Sequence, residues 1–529
     1  MKKVDVLFQE WNKPDSPGCV VAIIKDGRIF YKHAYGMADL EHNIPLTTTS
    51  VFDVGSMSKQ FTAFAIALLE QQGKLSVNDD IRKYIPELPD YGKPITIRQM
   101  IYHTSGLRDY DTLMRLAGYN MQNDTPDDDI LSIIARQKKL NFMPGDEHLY
   151  SNTGYFLFSI LVKRLTDMSL RQFADENIFK PLGMKNTHYH DDHTVLVKER
   201  AMAYDALKDA KYRIEMSLLD DVGDGGVYTT VEDLYLWDQN FYNNKLAGGN
   251  EFIERIVARG ILANGDKIDY AYGLGIMDYK GLHTQVHGGA WMGYRSFMVR
   301  FPEQKFSVAV LANVDSVNTF GLVYQVADIF LADQFKEEPR KPASKVKPVK
   351  ISQKLLQEKT GTYRNTTTGN FWQLEAKKGK LLVTTTTGVS FTFVPVSKTE
   401  FQSVNAHYRM KASFEQKDNK NIMHVSLEDE VYYEFEPVVL VNPVPEELTH
   451  YTGEYFSEEL QVKYTVLFKD NTLFLSVKYD PEQLPLQPTL QDEFTVSGLI
   501  FKFQRNNSNH ITGFSLDTGK VKEIVFKRL

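Results

Sequence analysis

Three features are scarce in this sequence, and each absence excludes a class of protein. The 529 residues include one cysteine, Cys19, so neither an internal disulfide nor a cysteine-rich metal site is expected. No run of about eighteen apolar residues occurs, which argues against a membrane-spanning helix. The net charge is −7, and this lack of excess lysine and arginine argues against a nucleic-acid partner.

The amino-terminal stretch also does not have the pattern of a signal peptide. Two lysines follow Met1, but Asp5, Gln9 and Glu10 interrupt any apolar core. As written, the sequence therefore predicts a cytoplasmic protein. An exported or periplasmic protein from which a signal peptide had been removed would have the same pattern.

The composition is that of an ordinary globular protein, with 42% hydrophobic and 24% charged residues. A chain of this length is expected to form about three domains. Residues 336–350 are rich in proline and charge and have no apolar period, which predicts a linker. We therefore expect a first domain over 1–335 and two further domains over 351–440 and 441–529.

Hairpin patterns near both ends of the first domain predict its fold. CVVAIIKDGRIFYKHAYG has two strand-like runs joined at Asp26-Gly27, a dipeptide typical of tight hairpins. A second hairpin pattern begins at Tyr294, and a helix is predicted from Thr319 to about Asp333. Mostly helical sequence lies between. We expect an α/β (α+β) domain with one antiparallel sheet built from both ends and a helical insertion.

The carboxy-terminal part is predicted to be all-β and to contain two copies of one unit. EKTGTYRN, from Glu358, matches HYTGEYFS, from His450, and Thr360 and Thr452 in these segments are 92 residues apart. KGKLLVTTTT likewise matches DNTLFLSVKY. We therefore expect two small antiparallel barrels or sandwiches.

The stretch VFDVGSMSKQFTAFAIALLEQQG, from Val51 to Gly73, contains the candidate nucleophile. Its apolar run predicts a helix that ends at the glycine. Ser56 and Lys59 are three residues apart, on one face of the first turn. The positive end of a helix dipole favours a neutral lysine, and a neutral amine beside a hydroxyl can activate a serine.

Ser-x-x-Lys is weak on its own, because it also fits an N-cap serine beside a solvated lysine. A second match, Ser344 to Lys347, falls in the predicted linker. The order and setting of two further motifs give the first match its weight. Tyr150-Ser151-Asn152 follows on a predicted loop, and His287-Gly288-Gly289-Ala290 follows at a predicted sheet edge.

With these motifs the chain resembles the serine β-lactamase and penicillin-binding family, most closely its class C and esterase or D-aminopeptidase branch. The resemblance extends over about residues 1–335 and includes HTSGL (His103–Leu107), GDGGVYTT (Gly223–Thr230) and YGLG (Tyr272–Gly275). Two lipocalin-like β repeats after such a domain resemble the D-aminopeptidase arrangement. The resemblance is specific for the fold and the nucleophile, and it leaves the substrate open.

The resemblance implies a serine hydrolase that works through an acyl-enzyme without a metal or cofactor. Ser56 is implied to attack a carbonyl carbon, while Lys59, neutral or sharing a proton with Tyr150, accepts the serine proton. Tyr150 is implied to protonate the leaving group and to activate the deacylating water. Asn152 is implied to bind Lys59 and the substrate.

The implied oxyanion hole consists of the backbone N–H groups of Ser56 and Ala290. Gly288 and Gly289 are expected to let the substrate backbone approach the strand. The family members that bind a substrate carboxylate usually have Lys-Thr-Gly where this chain has His287-Gly288-Gly289. Because a permanent cation is lost, efficient β-lactam hydrolysis is not expected. The alternative for His287 is a histidine that only packs on its strand.

The expected substrate is a small ester, an amide or a D-amino-acid peptide. The alternative function, from a different class, is a weakly catalytic penicillin-binding protein, or one that binds or senses peptidoglycan peptides. It is suggested by the missing Lys-Thr-Gly and by the large carboxy-terminal part.

Two other segments have a functional and a plainer interpretation. In a D-aminopeptidase-like architecture a loop of the last domain reaches the active site, which here implies Tyr479–Pro488 with Asp480 or Glu482 pairing with a substrate ammonium. An ordinary connection between strands is favoured. THYHDDH (Thr187–His193) has the residue types of a metal site, but we interpret it as a solvated loop and expect no metal.

Overall fold

In the computed structural model the chain divides into two units, Met1–Glu338 and Pro339–Leu529. The described residues are 1–120, 125–336, 348–386, 388–404, 410–418, 420–427, 431–477 and 483–529. Within these ranges no helix has the length and apolar character needed to cross a membrane. The second Ser-x-x-Lys match, Ser344 to Lys347, lies outside the described residues, as do Asp480 and Glu482.

The first unit combines helices with short and long strands. The helices are α1 (Lys2–Phe8), α2 (Lys59–Gln71), α3 (Ile97–Ile101), α4 (Tyr110–Leu116), α5 (Asp127–Ala135), α6 (Thr153–Thr166), α7 (Leu170–Ala174), α8 (Lys180–Leu182), α9 (Val231–Asn240), α10 (Gly249–Ile256) and α11 (Thr319–Phe330). The strands are β1 (Cys19–Lys25), β2 (Arg28–Tyr35), β3 (Met37–Asp39), β4 (Ile44–Pro45), β5 (Phe52–Asp53), β6 (His188–Tyr189), β7 (Tyr204–Ala206), β8 (Tyr212–Ile214), β9 (Val227–Thr229), β10 (Gly275–Tyr279), β11 (Leu282–Trp291), β12 (Tyr294–Phe301) and β13 (Phe306–Ala312).

The main sheet is antiparallel and has the strand order β10-β11-β12-β13-β1-β2. The two predicted hairpins, β1-β2 and β12-β13, meet where β1 pairs with β13, with Cys19 opposite Ala312. Asp26 and Gly27 both have positive φ, as a tight hairpin turn requires. The prediction of one sheet built from both ends of the domain is therefore confirmed.

Burial explains why β1 and β13 read as continuous apolar runs rather than alternating ones. Every residue of β13 is buried, and so is each residue of β1 up to Ile24, because helices cover both faces of the sheet. Val4 and Phe8 of α1 and Val323 of α11 belong to the core on one face, while α9 lies against the other face. Cys19 is fully buried in this core.

Strand β11 holds the His-Gly-Gly motif, and its pairing changes along its length. Its first half is an inner strand, because β10 pairs with it from Leu282 up to Val286. Beyond that point His287–Trp291 runs past the end of β10, while β12 continues to pair on the other side. The predicted sheet edge is therefore present only in the second half of the strand.

The second unit contains two closed antiparallel barrels of eight strands each, in which consecutive strands are neighbours. The first comprises α12 (Gln353–Gln357), β14 (Gly361–Asn365), β15 (Phe371–Lys377), β16 (Lys380–Thr385), β17 (Ser390–Pro395), β18 (Glu400–Val404), β19 (Met410–Lys417), β20 (Lys420–Leu427) and β21 (Val431–Val438). The second comprises α13 (Pro445–Leu448), β22 (Gly453–Ser457), β23 (Val462–Lys469), β24 (Thr472–Val477), β25 (Leu484–Pro488), β26 (Glu493–Val496), β27 (Leu499–Arg505), β28 (Ile511–Asp517) and β29 (Ile524–Arg528).

The internal repeat of the sequence corresponds to this duplication. α13 begins 92 residues after α12, and β22 begins 92 residues after β14. Large side chains fill the barrels, among them Phe393 and Phe414 in the first and Tyr464 and Phe514 in the second, all buried. The prediction of two small barrels is confirmed.

Candidate active site

The candidate nucleophile lies on a single 3-10 turn, Gly55–Ser58, that leads directly into α2. The Asp53 carboxylate accepts a hydrogen bond from the Gly55 N–H at 2.7 Å, and Gly55 has a φ of +51°, which a glycine adopts without strain. Ser56 is partly exposed at this turn. The serine therefore stands just ahead of the α-helix and remains accessible.

The second half of β11 packs directly against this turn. A Cβ on Gly289 would lie 1.8 Å from the Val54 carbonyl oxygen, and a Cβ on Gly55 would lie 2.9 Å from the Ala290 nitrogen. Both contacts are possible only for glycine. They place the Ala290 backbone N–H beside the turn that carries Ser56. The close approach at Gly289 is to the protein itself, and an approach by substrate stays a prediction.

Lys59 is the most constrained residue of the site. Its side chain is fully buried, and its Nζ donates hydrogen bonds to Ser56 Oγ at 3.1 Å, Asn152 Oδ1 at 2.9 Å and the Asp224 carbonyl oxygen at 2.6 Å. The amine therefore joins three separate segments of the chain. The structure brings together the serine, the lysine and the asparagine that the sequence singled out.

Burial lowers the pKa of Lys59 to about 8, because removal from water disfavours the charged form. The carboxylates of Asp224, Asp109 and Asp111 oppose this effect and favour the ammonium. The sequence suggests the helix dipole as the reason for a neutral lysine, and the structure adds burial as a cause of the lowered pKa. A substantial fraction of neutral amine is expected near pH 8.

Tyr150 and Asn152 lie on the loop that leads into α6. Asn152 occupies the N-cap position of that helix, but its side chain binds Lys59 instead of capping it. Its backbone N–H donates to Asp109 Oδ2 at 3.2 Å. The Tyr150 ring centre is 4.9 Å from Lys59 Nζ. The amine therefore lies over the face of the Tyr150 ring, and proton exchange between Lys59 and the phenol hydroxyl stays a prediction.

His287 is buried, and both of its ring nitrogens have partners inside the protein. Nδ1 is 2.6 Å from the Gly288 carbonyl oxygen, and Nε2 is 3.1 Å from the Tyr270 hydroxyl. A carbonyl oxygen only accepts, so Nδ1 carries the proton and Tyr270 donates to Nε2. Burial, with Lys59 nearby, lowers the pKa of His287 to about 4. At neutral pH this side chain is therefore an uncharged part of the wall.

Comparison with known proteins places this site in a family. Residues 5–328 match the family model described as Beta-lactamase. The chain belongs to the beta-lactamase family. Penicillin-binding protein 4* of Bacillus subtilis (strain 168) is 28% identical over 68% of this chain and 82% of its own length. A D-aminopeptidase of Gluconobacter oxydans (strain 621H) is 26% identical over 56% of each chain, so the match spans less than two thirds of that protein.

Solved structures give the same fold for the beta-lactamase family domain. The octameric penicillin-binding protein homologue from Pyrococcus abyssi superposes with a TM-score of 0.58 at 23% identity, over 82% of this chain and 99% of that one. The D-amino acid amidase from Ochrobactrum anthropi SV3, complexed with L-phenylalanine amide, has a TM-score of 0.52 at 20% identity, over 63% and 97%. At these identities the likeness establishes the fold alone.

Several polar residues that the motif search did not select complete the site of this beta-lactamase family member. Asp224 and His103 lie within the quoted GDGG and HTSGL segments, and Tyr270 comes two residues before YGLG. The Tyr110 hydroxyl is 2.5 Å from Asp221 Oδ2 and 3.2 Å from both carboxylate oxygens of Asp224. The GDGG and HTSGL motifs could have pointed to Asp224 and His103. The sequence does not show that the fold brings them close to Lys59.

The histidine-rich segment THYHDDH differs from its prediction as a solvated loop. His188 and Tyr189 form β6, which pairs with β9, and His190 is buried. Burial lowers the pKa of both His188, to about 4, and His190. Tyr189 anchors the segment in the protein interior, because its hydroxyl lies 2.6 Å from the Thr62 hydroxyl of α2. Among the described residues, the group with metal-ligand spacing is elsewhere, at Asp39, Glu41 and His42.

Proposed function

We propose that this protein is a serine hydrolase that forms an acyl-enzyme at Ser56, with Lys59 as the base, on a small ester, amide or D-amino-acid peptide. The observation that carries the proposal is the buried Lys59 Nζ at 3.1 Å from Ser56 Oγ. A buried amine with a lowered pKa, next to an accessible hydroxyl, is the arrangement that activates a serine.

The other two partners of Lys59 determine how its nitrogen is oriented. The Asn152 amide oxygen and the Asp224 carbonyl oxygen can only accept, so each takes one N–H. A neutral amine has two N–H bonds and one lone pair. The ammonium donates its third N–H to Ser56 Oγ. When that proton is lost, the lone pair left behind points towards the Ser56 hydroxyl, which is the direction that proton transfer needs.

The proton balance then follows in two steps. As Ser56 Oγ bonds to the carbonyl carbon, its proton passes to Lys59 Nζ. The Tyr150 phenol protonates the leaving amine or alcohol as the bond to the carbonyl carbon breaks, and the Lys59 ammonium returns a proton to the phenolate. In deacylation the Tyr150 phenol gives its proton to Lys59 and takes one from the attacking water, and the Lys59 ammonium returns a proton to Ser56 Oγ as the bond between Ser56 and the acyl group breaks. Lys59 Nζ lies 4.9 Å from the Tyr150 ring centre, so both groups belong to the same proposed site.

The developing oxyanion is proposed to accept from the backbone N–H groups of Ser56 and Ala290. Ser56 lies at the amino-terminal entrance of α2, and Ala290 lies on the part of β11 that extends beyond β10. The glycine contacts at Gly55 and Gly289 hold the turn and the strand together. Two donors on such rigid elements need no reorganisation when charge develops.

The charges around the site favour a neutral or cationic substrate over an anionic one. His287, in the place of the family's lysine, is neutral and uses both nitrogens within the protein. Three carboxylates raise the pKa of Lys59, those of Asp224, Asp109 and Asp111. They therefore make the electrostatic potential beside Ser56 more negative. His287 therefore supplies no cation for a substrate carboxylate at the position of the family's lysine. Esters, amides and D-amino-acid amides with a free ammonium fit better, and relatives named D-aminopeptidase agree with this.

The test is a substrate panel with the purified wild type and Ser56→Ala. It contains a short p-nitrophenyl ester, D-alanyl and L-alanyl p-nitroanilides, and a chromogenic cephalosporin. We expect Ser56-dependent turnover of the ester, preference for the D-anilide over the L-anilide, and slow or no turnover of the cephalosporin. Ester turnover with both anilides inert would leave an esterase. Acylation without turnover of anything would favour the penicillin-binding or sensor function.

A further inference from the structure

We propose that His103 is a positioning residue that fixes the Tyr150 phenol against Lys59. The inference rests on the proposed function, in which Tyr150 transfers protons. Two backbone N–H groups, one on either side of Tyr150, are hydrogen-bonded to His103. The Leu149 N–H donates to the His103 carbonyl oxygen at 2.9 Å, and the Ser151 N–H donates to His103 Nδ1 at 3.3 Å.

The ring of His103 holds the phenol itself. Its centre is 4.3 Å from the centre of the Tyr150 ring and 4.7 Å from that of Tyr270, both at tilted angles. Tyr270 in turn contacts His287 Nε2 through its hydroxyl. The imidazole therefore lies between the proposed proton donor and the wall built from Tyr270 and His287. At these distances the tyrosine ring cannot tilt without displacing it.

The backbone of His103 indicates that this placement is enforced by its surroundings. Its φ is +55°, an uncommon region for a side chain other than glycine, asparagine or aspartate. Such a conformation raises the energy locally and persists only when neighbouring contacts determine it. His103 is also buried, with 2% of its surface exposed. A residue chosen only for the turn would be expected to be a glycine.

The two nitrogens of the ring have unequal roles. Because Nδ1 accepts from Ser151, the proton of the neutral ring is on Nε2, and that atom makes no hydrogen bond to the described residues. Burial and the nearby Lys59 hold the pKa of His103 well below its usual value, with His148 and His287 acting in the same direction. The ring is therefore neutral, and it contributes one acceptor and one flat surface.

The experiment compares His103→Leu, His103→Asn and Tyr150→Phe on the D-alanyl anilide and the p-nitrophenyl ester, using kcat/KM, which reports acylation. The anilide must be protonated as it leaves, whereas p-nitrophenolate need not be. We expect His103→Leu to lower kcat/KM about a hundredfold for the anilide and less than about threefold for the ester. Asparagine keeps an acceptor near the Nδ1 position and tolerates positive φ, so His103→Asn should be intermediate.

A double variant separates positioning from general damage. In the Tyr150→Phe background, His103→Leu should cause little further loss, because the group that it positions is already absent. Equal losses on both substrates, or a full further loss in that background, would overturn the proposal. If Tyr150→Phe shows no anilide-selective loss, both the proposed role of Tyr150 and this inference are wrong. Ser56-dependent turnover in the same experiment would still support the acyl-enzyme.

A matched control is available in the same unit. His190 is also buried, packs 4.8 Å from a tyrosine ring and has an Nε2 without a hydrogen bond to the described residues. His190→Asn should lower the melting temperature without changing the ratio of anilide to ester activity. If circular dichroism reveals that His103→Leu does not fold, His103→Asn decides alone. An anilide-selective loss of at least about threefold supports the proposal, and an unselective loss overturns it.

Discussion

The two units of this chain use their interiors differently. The first buries ionisable side chains around one turn, namely Asp53, Lys59, His103 and His287. The second fills two barrels largely with aromatic and aliphatic side chains, such as Phe393 and Phe514. Burial of apolar groups stabilises a fold, whereas burial of ionisable groups displaces their pKa values at the expense of stability. In the first unit burial therefore shifts the protonation of a candidate active site, and in the barrels it provides packing.

The sharpest test of this contrast is Lys59→Arg. Arginine keeps the positive charge and the hydrogen-bond donors, but it cannot give up its proton at any working pH. If Lys59 is a base, kcat/KM for the ester should fall by about 10²–10⁴-fold. The control is Lys74→Arg, just after the end of the same helix and exposed, which should leave the rate unchanged. Near-normal activity in Lys59→Arg would argue for a purely structural lysine.

In the barrels the expected effect is on stability alone. Phe393 is fully buried and packs 5.4 Å from the Phe391 ring, so Phe393→Ala should lower the free energy of unfolding by about 3–5 kcal/mol. Denaturant unfolding measures this, with Phe393→Leu as the milder control. The rate of Ser56 labelling by a fluorophosphonate should stay at the wild-type value. A large drop in that rate would mean that the contrast between the units is wrong.

Acid should destabilise the first unit through its buried histidines. The pKa of His287 is about 4 in the folded protein and about 6.5 when unfolded. Between these values the unfolded chain binds a proton that the folded chain does not. Stability is therefore complete above pH 6.5 and falls as the pH drops towards 4, by about 3 kcal/mol for this residue. His287→Gln should reduce that pH dependence in urea unfolding, and an unchanged profile would contradict the assignment.

The smallest predicted effect concerns the charge that opposes the burial of Lys59. Asp224 raises the pKa of Lys59, so Asp224→Asn should lower it. The rise of kcat/KM with pH, expected near pH 8 for the wild type, should move to lower pH by about one unit. Asp205→Asn, which removes a carboxylate paired with Arg213 on the surface, serves as the control. A shift to higher pH would contradict the electrostatic account.

The sequence predicted those parts of the molecule that depend on local pattern. The hairpin at Asp26-Gly27, the helix from Thr319 and the 92-residue repeat all follow from periodicity and turn residues. The order of Ser56, Tyr150 and His287 along the chain indicated a single site. The hairpin, the helix and the repeat could be predicted because each depends on residues a few positions apart or on a strict repeat.

Long-range burial was not predictable in the same way. The sequence THYHDDH does not show that the Tyr189 hydroxyl contacts Thr62 or that the segment begins with a paired strand. Likewise, a cause of the lowered pKa of Lys59 is its complete burial by segments up to 165 residues away, whereas sequence spacing suggested the helix dipole. The pairing of His287 with Tyr270 depends on how β11 meets the loop before β10, which no local pattern encodes.

The most direct test of the central claim is the intact mass of the protein after brief mixing with a fluorophosphonate or a short p-nitrophenyl ester. The wild type and Ser56→Ala are compared under the same conditions. The account predicts one adduct per chain on the wild type and none on Ser56→Ala, with the ester adduct disappearing as turnover proceeds. Equal labelling of both proteins, or no labelling of the wild type by either reagent, would contradict it.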